Sequence, residues 1–478
     1  MKNKAIRRRL AAYFICFAIL IQLVSAWGTE LEPLHLVILH VNDTHGRLCP
    51  YDTAEAKDIG GIARMATRVK GIRGENEGRT LVLHAGDVLS RGDSLTVYYG
   101  GEVNMLAMEA IGYDAFTPGN GEFYFGIENL VKQTKLIKFP VLHANVIYKE
   151  TGKRIFQPYI IKEISGVKIA ILGLGIIRIN HPSARPLKLL DHVTVAKEFV
   201  PMLHDKADLV IALTHIGYNA DRVLAEAVPQ IDIIVGGHSH TQLDEPVRIP
   251  RTEGDGDVII VQAGEYCKFL GQLDVYLQSD ESGEYHISKA EGKLLPIDSS
   301  IEADKEIVKL LEGYSEPLSE VVCISKVALA NPEEGENTMG KMVAEALCFS
   351  TGADIALLDR GAVQGEIKPG EVTLADVIPI HPWRNRVMEL LLTGEEIKKT
   401  LSEQDIFASG ISYSKVDGEV RDLRIGNSPV KLDKQYKVAA GEFLLENTPS
   451  LQDIHRIETG ERVGSVLLRY LEETEIIE

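Results

Sequence analysis

Two short stretches of the chain place metal-binding side chains two residues apart, directly after an apolar run. In residues 36–46 (LVILHVNDTHG) these are Asp43 and His45, and in residues 231–240 (IDIIVGGHSH) they are His238 and His240. Just past a strand, residues i and i+2 can turn toward one point, because the chain no longer alternates faces. Carboxylate and imidazole groups suit Zn, Mn or Fe. An ordinary polar loop contains the same residue types, so the prediction depends on further strand ends of this kind.

Three more predicted strands end in the same manner. Asp87 follows the strand 80–84, Asn120 follows residues 113–118, and His215 comes directly after the strand 208–213. An α/β sheet collects its functional site at strand ends, so we expect these side chains to lie together. Seven ligand-type groups exceed what one ion needs, which predicts two divalent ions (Zn, Mn or Fe) bridged by Asp87, an arrangement that clamps an in-line phosphoryl displacement. The predicted metal ligands are Asp43, His45, Asp87, Asn120, His215, His238 and His240.

Length and composition describe an acidic globular protein of more than one domain. The chain has 478 residues, of which 45% are hydrophobic and 25% charged, and a formal net charge of -18. This length favours two domains. The negative charge argues against a nucleic-acid polymer as partner. A small phosphorylated substrate is the partner that we expect, and the sequence leaves the oligomeric state open.

The first 26 residues have the pattern of a secretory signal peptide. Five basic residues between Lys2 and Arg9 precede an apolar run, residues 10–24, and Val24-Ser25-Ala26 fits a signal-peptidase site. The run is short for a membrane-spanning helix, although an uncleaved anchor is the alternative. We therefore predict a periplasmic or secreted protein without stable membrane insertion after cleavage. Its net charge is -23, because the segment removes five basic and no acidic residues.

The remaining cysteines are widely spaced. They are Cys49, Cys267, Cys323 and Cys348, and none belongs to a Cys-x-x-Cys motif, which argues against a zinc knuckle or a redox motif. Outside the cytoplasm one disulfide is feasible. Its pairing cannot be chosen from the sequence.

Strand and helix patterns alternate along the chain, which predicts an α/β fold. Helical periodicity covers residues 62–72 and 103–111 in the first half and begins again at Asn337. Residues 283–320 are charged and contain a helical pattern, which we interpret as a linker with a connecting helix. The predicted organisation is a signal peptide (1–26), a first domain (34–290), a linker and helix (291–320) and a second domain (321–478).

The ligand motifs, in this order, resemble those of the calcineurin-like metallophosphoesterase superfamily. Residues 337–357 and 379–385 make the chain similar to the 5′-nucleotidase family in particular. The resemblance implies a four-layer αββα metallophosphoesterase domain, followed by a smaller α/β domain that binds the non-reacting part of the substrate. It implies a hydroxide between the two ions as the nucleophile, and it makes Asn120 a catalytic group that touches a phosphate oxygen. It assigns Asp43, His45, Asp87 and His240 to one ion and Asp87, Asn120, His215 and His238 to the other.

The chain departs from the family pattern after Asn120. There the family has a His, which assists the leaving group, and an Asp that orients it. Here these positions are Gly121 and Tyr124. General acid assistance is typically worth about 10²–10⁴-fold, so we expect a preference for leaving groups that depart without a proton. Glu122, Tyr124 and His143 are candidate replacement acids, with Glu122 more consistent with a supporting role.

The predicted substrate-binding residues are altered as well. The family has Asn-x-Gly-x-x-Arg where this chain has Asp359 to Gln364, so Arg360 is the available guanidinium, with a solvated surface role as its alternative. The family's Pro-Phe-x-Asn appears as Pro382-Trp383-Arg384-Asn385, so an aromatic ring is kept. The second stacking aromatic of the family is not recognisable in residues 441–447. The predicted substrate-binding residues are Arg360, Trp383, Arg384 and Asn385.

These features predict an exported, binuclear-metal hydrolase of phosphoester or phosphoanhydride bonds in nucleotides or related small molecules. Two alternatives stay open. One is a metal-retaining relative without activity that binds a nucleotide or another anion. The other is hydrolysis of a sulfur-containing ester, as in the thiosulfohydrolase relatives of the family.

Overall fold

The fold is described from a computed structural model, which covers residues 33–90, 92–179, 181–252, 256–280, 283–331 and 337–478. The predicted signal peptide lies outside these residues. Within the ranges described, no helix combines the length and the apolar character needed to cross a bilayer.

The first domain contains two large sheets. Its strands are β1 (Leu34–Val41), β2 (Thr80–His84), β3 (Ala115–Phe116), β4 (Val146–Tyr148), β5 (Tyr159–Ile164), β6 (Val167–Gly175), β7 (Leu187–Leu189), β8 (Leu209–His215), β9 (Ile233–Val235), β10 (Val247–Pro250), β11 (Asp257–Val261), β12 (Phe269–Ser279) and β13 (Tyr285–Pro296). The first sheet has the order β13-β12-β1-β2-β3 and the second β10-β11-β9-β8-β6-β5. β4 and β7 form a separate pair.

Helices cover the outer faces of both sheets. They are α1 (Ile62–Glu75), α2 (Ser94–Tyr98), α3 (Glu102–Ile111), α4 (Ile127–Gln133), α5 (His192–His204), α6 (Tyr218–Ala227) and α7 (Lys305–Ser315). One face of β1 carries Ile38, which packs toward the second sheet, and the other carries Leu39, which packs with α1 and α3. A third apolar cluster joins the second sheet to α5 and α6. These layers form the αββα sandwich that the family resemblance implies. Strand β1 is buried because both of its faces lie inside this sandwich.

The strand directions bring the predicted ligand loops together. β1, β2 and β3 are mutually parallel neighbours, and so are β8 and β9 in the second sheet. The carboxyl ends of parallel strands lie at one edge of a sheet. The loops after β1, β2, β3, β8 and β9 therefore open onto the same end of the sandwich.

The carboxy-terminal third of the chain is a smaller α/β unit. Its strands are β14 (Val321–Ser325), β15 (Ile355–Asp359), β16 (Gly370–Thr373), β17 (Arg386–Thr393), β18 (Ile406–Ser409), β19 (Ser412–Val416), β20 (Glu419–Ile425), β21 (Ser428–Pro429), β22 (Gln435–Gly441), β23 (Arg456–Arg462) and β24 (Ile476–Ile477). Its helices are α8 (Thr338–Thr351), α9 (Leu374–Val377), α10 (Gly394–Glu403), α11 (Glu442–Asn447) and α12 (Val463–Thr474). The sheet β18-β15-β22-β17-β23 has α8 and α12 on one face and α10 and α11 on the other.

The segment that we expected to be a linker is more ordered than its composition suggests. Residues 291–296 continue β13, which pairs with β12 in the first sheet. Because β13 is an edge strand with many exposed side chains, its charged residues resemble those of a linker. The connecting helix is α7, whose first turn is capped by Asp304 and whose Ile307 is buried in the core of the first domain.

The four cysteines of the described ranges are not paired with one another. Cys267 and Cys323 are buried, Cys348 is partly buried and Cys49 is exposed. Burial raises the pKa of Cys267 to about 12, so this thiol stays protonated at neutral pH. The structure therefore contains no disulfide among these residues, and the cores of the two domains do not depend on one.

Buried neutral histidines make the stability of the fold depend on pH. His381 is 3% exposed, and its Nδ1 lies 2.8 Å from the carbonyl oxygen of Ala362. Burial lowers the pKa of His381 from 6.5 to about 4. The unfolded chain therefore binds a proton here below pH 6.5 that the folded chain excludes, so the free energy of unfolding falls as the pH falls through this range.

We expect His381→Gln to remove part of this pH dependence. Glutamine keeps a donor for the Ala362 carbonyl but does not titrate. Between pH 7.5 and pH 5 the wild type should lose about 1–2 kcal/mol more than the variant. Urea unfolding at both pH values, with a chelator present, measures this difference. An equal loss in the two proteins would show that His381 is not held neutral.

Candidate active site

The first group of predicted ligands converges after β1 and β9. Nε2 of His240 lies 3.3 Å from Oδ1 of Asp43, and Nε2 of His45 lies 3.6 Å from the same oxygen. The two imidazole nitrogens are 2.8 Å apart. Ligand atoms of these three residues all lie within 4.8 Å of one another, the spacing expected of groups that hold one ion.

A second group adjoins the first through Asp43. Nε2 of His215 lies 3.3 Å from Oδ1 of Asp87 and 4.0 Å from Oδ1 of Asp43. Asp43, Asp87 and His215 also meet the distance condition for one ion. Asp43 is thus the carboxylate common to both groups, whereas the sequence pattern predicts Asp87 as the bridging residue. Oδ2 of Asp87 is 3.7 Å from Nδ1 of His45, so Asp87 also faces the first group.

In His45, His215 and His240 the Nδ1 atom contacts a protein oxygen. The contacts are His215 Nδ1 with Ala85 O at 2.6 Å, His240 Nδ1 with Glu265 Oε2 at 2.6 Å and His45 Nδ1 with Ser90 Oγ at 2.6 Å. Such contacts fix ring orientation and leave Nε2 available to a metal. Glu265 follows β11, as the predicted ligands follow their strands, and this position could have identified it from the sequence.

The chemistry of this cluster fits divalent cations. Asp43 Oδ1 and His215 Nε2 are buried, and neither has a hydrogen-bond partner among the described residues. Burial would lower the pKa of His215, but the carboxylates of Asp87 and Asp43 raise it to about 10. The two buried carboxylates therefore favour positive charge beside them. A proton on His215 neutralises part of their negative charge, and bound divalent cations would neutralise all of it.

The ligand loops adopt strained backbone conformations. Five of the seven predicted ligands have positive φ, between 49° and 79°: Asp43, His45, Asp87, His238 and His240. Non-glycine residues rarely adopt this region, and such strain concentrates at functional sites. The strained turns allow successive side chains to point inward instead of alternating as in a strand.

Glu122 supports the loops from beneath. It is fully buried and accepts hydrogen bonds from backbone N–H groups of Asp87 at 2.9 Å, Leu89 at 2.8 Å and Gly119 at 2.6 Å, and also from Val88. Burial and the nearby Asp87 carboxylate raise the pKa of Glu122 to about 7. Both of its oxygens are engaged by amides, so it holds the Asp87 and Asn120 loops together and does not face a substrate.

Asn120 and His238 flank the second group. The side-chain amide of Asn120 donates to the hydroxyl of Tyr124 at 2.9 Å, while its Oδ1 is buried without a partner among the described residues. The ring of His238 lies 5.2 Å from that of His215, and its backbone N–H donates to Asp43 at 2.8 Å. All seven predicted ligands therefore lie at one end of the sandwich.

A cavity of about 250 Å³ lies between the two domains beside this cluster. It is lined by Tyr124, Arg178, His181, Asp359, Gly361, Trp383, Asn385 and Phe443. Trp383 and Asn385 are predicted substrate-binding residues, and Phe443 supplies a second aromatic ring that the sequence motifs do not reveal. Tyr124 connects the cavity with the ligand cluster, since its ring is 5.7 Å from Trp383 and its hydroxyl contacts Asn120.

Comparison with known proteins identifies the family. Residues 36–242 match the calcineurin-like phosphoesterase family and residues 315–451 match the 5′-nucleotidase C-terminal domain. The chain is 30% identical to a 5′-nucleotidase of Vibrio cholerae serotype O1, over 91% of this chain and 90% of that relative. The chain belongs to the 5′-nucleotidase family. It is a metal-dependent hydrolase of phosphoric ester bonds.

Two solved structures have the same fold as this chain. A 5′-nucleotidase precursor from Thermus thermophilus is 26% identical, with a TM-score of 0.71 over 93% of this chain and 97% of that one. The sulfate thiohydrolase SoxB of Thermus thermophilus is 18% identical, with a TM-score of 0.64 over 92% of this chain and 94% of that one. This second likeness extends to the fold alone, so it adds no support for a sulfur ester as substrate.

Neither of the two predicted substrate-binding arginines, Arg360 and Arg384, lines this cavity. The side chain of Arg360 pairs with Asp405 at 2.8 Å and lies over the ring of Phe407, and it is not among the residues that line the cavity. Arg384 donates to the carbonyl of Val97 at 3.3 Å and lies 5.0 Å from the ring of Phe125, so it joins the two domains. The guanidinium that lines the cavity belongs to Arg178, which lies 5.5 Å from Phe443.

Gly121, which replaces the family histidine, lies against the ligand loops. A Cβ at this position would come 2.7 Å from Cβ of Ser90 and 2.9 Å from Oδ1 of Asp87. The Gly121 N–H also donates to that Asp87 oxygen at 2.6 Å. The close approach explains why the loop carries glycine, and it means that a histidine cannot be introduced without moving Ser90 or Asp87.

We expect Gly121→Ala to weaken metal binding at least tenfold, because the methyl group displaces Asp87 or Ser90, which contacts His45. Support of ligands by their neighbours is typically worth about 10–100-fold in affinity. Calorimetric titration with Mn²⁺ or Zn²⁺ measures the change. Gly71→Ala in α1 is the matched control, since an added Cβ there meets no atom within 4 Å. Equal affinities of the two variants would contradict the close packing at Gly121.

Proposed function

We propose that this protein is an exported hydrolase that uses two divalent ions to cleave phosphoester or phosphoanhydride bonds in nucleotides or related small phosphorylated molecules. The observation that carries the proposal is the continuity between the ligand cluster and an aromatic cavity, which meet at Tyr124. Export rests on the amino-terminal sequence pattern. The relatives named 5′-nucleotidase support the substrate class.

The cavity suits the part of a nucleotide that does not react. Trp383 and Phe443 supply aromatic faces for a base, and such stacking is typically worth about 0.5–1.5 kcal/mol beyond area burial. The indole N–H of Trp383 donates to the carbonyl of Gly361 at 3.2 Å, which holds the ring in place. A substrate whose base lies here would place its phosphate toward Asn120 and the ligand cluster.

Two ions held by the predicted ligands would neutralise charge on the phosphate and supply a nucleophilic hydroxide at neutral pH. Asn120 contributes through its amide. One N–H of this group donates to Tyr124, and the second remains for a phosphate oxygen, while Oδ1 is available to a cation. Tyr124 therefore fixes the orientation in which Asn120 can act on both.

The residues near the leaving group provide little acid assistance. Glu122 has both oxygens occupied by backbone amides, and His143 is fully buried with no hydrogen-bond partner among the described residues. Tyr124 lines the cavity, but a phenol is a weaker acid than an imidazolium ion. The site should therefore favour a phosphoanhydride or an activated ester over the alkoxide of a nucleoside.

We expect the rate to depend steeply on the leaving group. In Mn²⁺- or Zn²⁺-loaded protein, p-nitrophenyl phosphate should be hydrolysed about 10²-fold or more faster than phenyl phosphate, because the poorer leaving group lacks proton assistance. Measurement of kcat/KM across substituted phenyl phosphates, and for ADP against AMP, tests this expectation.

The controls for this experiment are two histidine variants. His45→Ala removes a predicted ligand and should abolish turnover, while His286→Ala on the exposed side of β13 should leave it unchanged. If the wild type shows no turnover above that of His45→Ala, the protein is a metal-retaining binder and not a hydrolase. A flat dependence on leaving-group pKa would instead show that an acid is present.

A further inference from the structure

We propose that His181 is a specificity-determining residue, whose Nε2–H donates a hydrogen bond to an oxygen of the alcohol portion of the substrate, the sugar in a nucleotide. The inference rests on the proposed function and names a contact of that same site. His181 lies outside the motifs by which the sequence resembles its family.

His181 occupies the space between the two parts of the proposed substrate. Its ring is 5.0 Å from that of Tyr124, whose hydroxyl contacts Asn120, and 6.1 Å from that of Phe443. A phosphate near Asn120 and a base near Phe443 would be joined by the sugar. His181 lines the cavity at this intermediate position.

The contacts of His181 select one tautomer. Its Nδ1 accepts from the backbone N–H of Ser183 at 3.3 Å and lies 2.6 Å from the Ser183 hydroxyl. A nitrogen that accepts a backbone N–H carries no proton itself, so in the neutral ring the proton lies on Nε2. Among the described residues Nε2 has no hydrogen-bond partner. This nitrogen is also not fully buried. A ligand in the cavity can therefore reach it.

The ring is held neutral by its surroundings. His181 is 8% exposed, and burial together with the positive charges of Arg178 and Arg185 lowers its pKa to about 4. A neutral N–H donor matches an uncharged oxygen acceptor such as a hydroxyl or the ring oxygen of the sugar. Arg178, which is charged and exposed at the same cavity, matches an anion better.

Two variants separate the donor from the structural role of His181. His181 also caps the short helical turn Pro182–Ala184 through Nδ1. Asparagine accepts from the N–H two residues on in the same manner, so His181→Asn keeps the cap and loses the donor at Nε2. His181→Phe loses both, and His192→Asn, at the start of α5, is the matched control.

The experiment compares kcat/KM for AMP, for 2′,3′-dideoxy-AMP and for p-nitrophenyl phosphate in these proteins. We expect both His181 variants to lower the AMP to p-nitrophenyl phosphate ratio about 3- to 10-fold, the effect of one hydrogen bond between uncharged groups. If the partner is a sugar hydroxyl, the wild type prefers AMP to the dideoxy compound and the variants do not. If the partner is the ring oxygen of the sugar, which the dideoxy compound keeps, both nucleotides lose equally relative to p-nitrophenyl phosphate.

Binding provides a readout that does not need turnover. The Kd of adenosine 5′-(α,β-methylene)diphosphate, measured by calorimetry on metal-loaded protein, should rise by a similar factor in both His181 variants but not in His192→Asn, while the Kd of inorganic phosphate stays unchanged. Absence of hydrolysis with this pattern of binding would reject the proposed function and keep the contact. Unchanged substrate ratios and unchanged analogue binding in His181→Asn would overturn the proposal.

Discussion

The structure of the site depends on two buried carboxylates, Asp43 and Asp87. Both lie at the end of the sandwich, and each of them is close to His45 and to His215. No arginine or lysine pairs with either of them in the described part of the chain, so their charge must be met by protonated histidine or by bound cations. Charge buried in this way is costly unless it is compensated. The strained ligand turns and the amide contacts of Glu122 hold the carboxylates in place despite that cost.

The same end of the sandwich meets the second domain. Arg185 pairs with Glu446 at 2.6 Å, and Arg384 reaches the carbonyl of Val97, so contacts between the domains surround the cavity. Tyr124 takes part in both environments through Asn120 and Trp383. Gly121 and Tyr124 stand where the family pattern has a histidine and an aspartate. Gly121 packs against Asp87, and Tyr124 forms part of the aromatic cavity wall. Neither side chain can act as the family's proton-transfer pair.

Much of this arrangement could be predicted from local sequence. Apolar runs that end in Asp or His identified β1, β2 and β8, because a buried strand and the turn after it are encoded side by side. The αββα layers followed from the family resemblance. The prediction of a linker at residues 291–296 was wrong because an edge strand whose charged residues are all exposed has a similar composition.

The other parts of the site depend on contacts between distant residues. Phe443 lines the same cavity as Tyr124, and no short window of the sequence shows that these two residues meet. The pairing of Arg360 with Asp405 is of the same kind, since it depends on how β15 and β18 are aligned. His181 carries no motif, and its tautomer is decided by Ser183 two residues away, in a turn whose geometry the residue types alone do not specify.

If the side chains at the strand ends gather two cations, both ions should be visible in a crystal of the metal-loaded protein. Diffraction from crystals grown with Mn²⁺ or Zn²⁺, with anomalous data collected at the metal edge, locates them. We expect two peaks per chain, one beside Asp43, His45 and His240 and one beside Asp87 and His215, with both lost in Asp43→Asn. A single peak, or metal bound elsewhere while these groups stay empty, would contradict a two-ion centre.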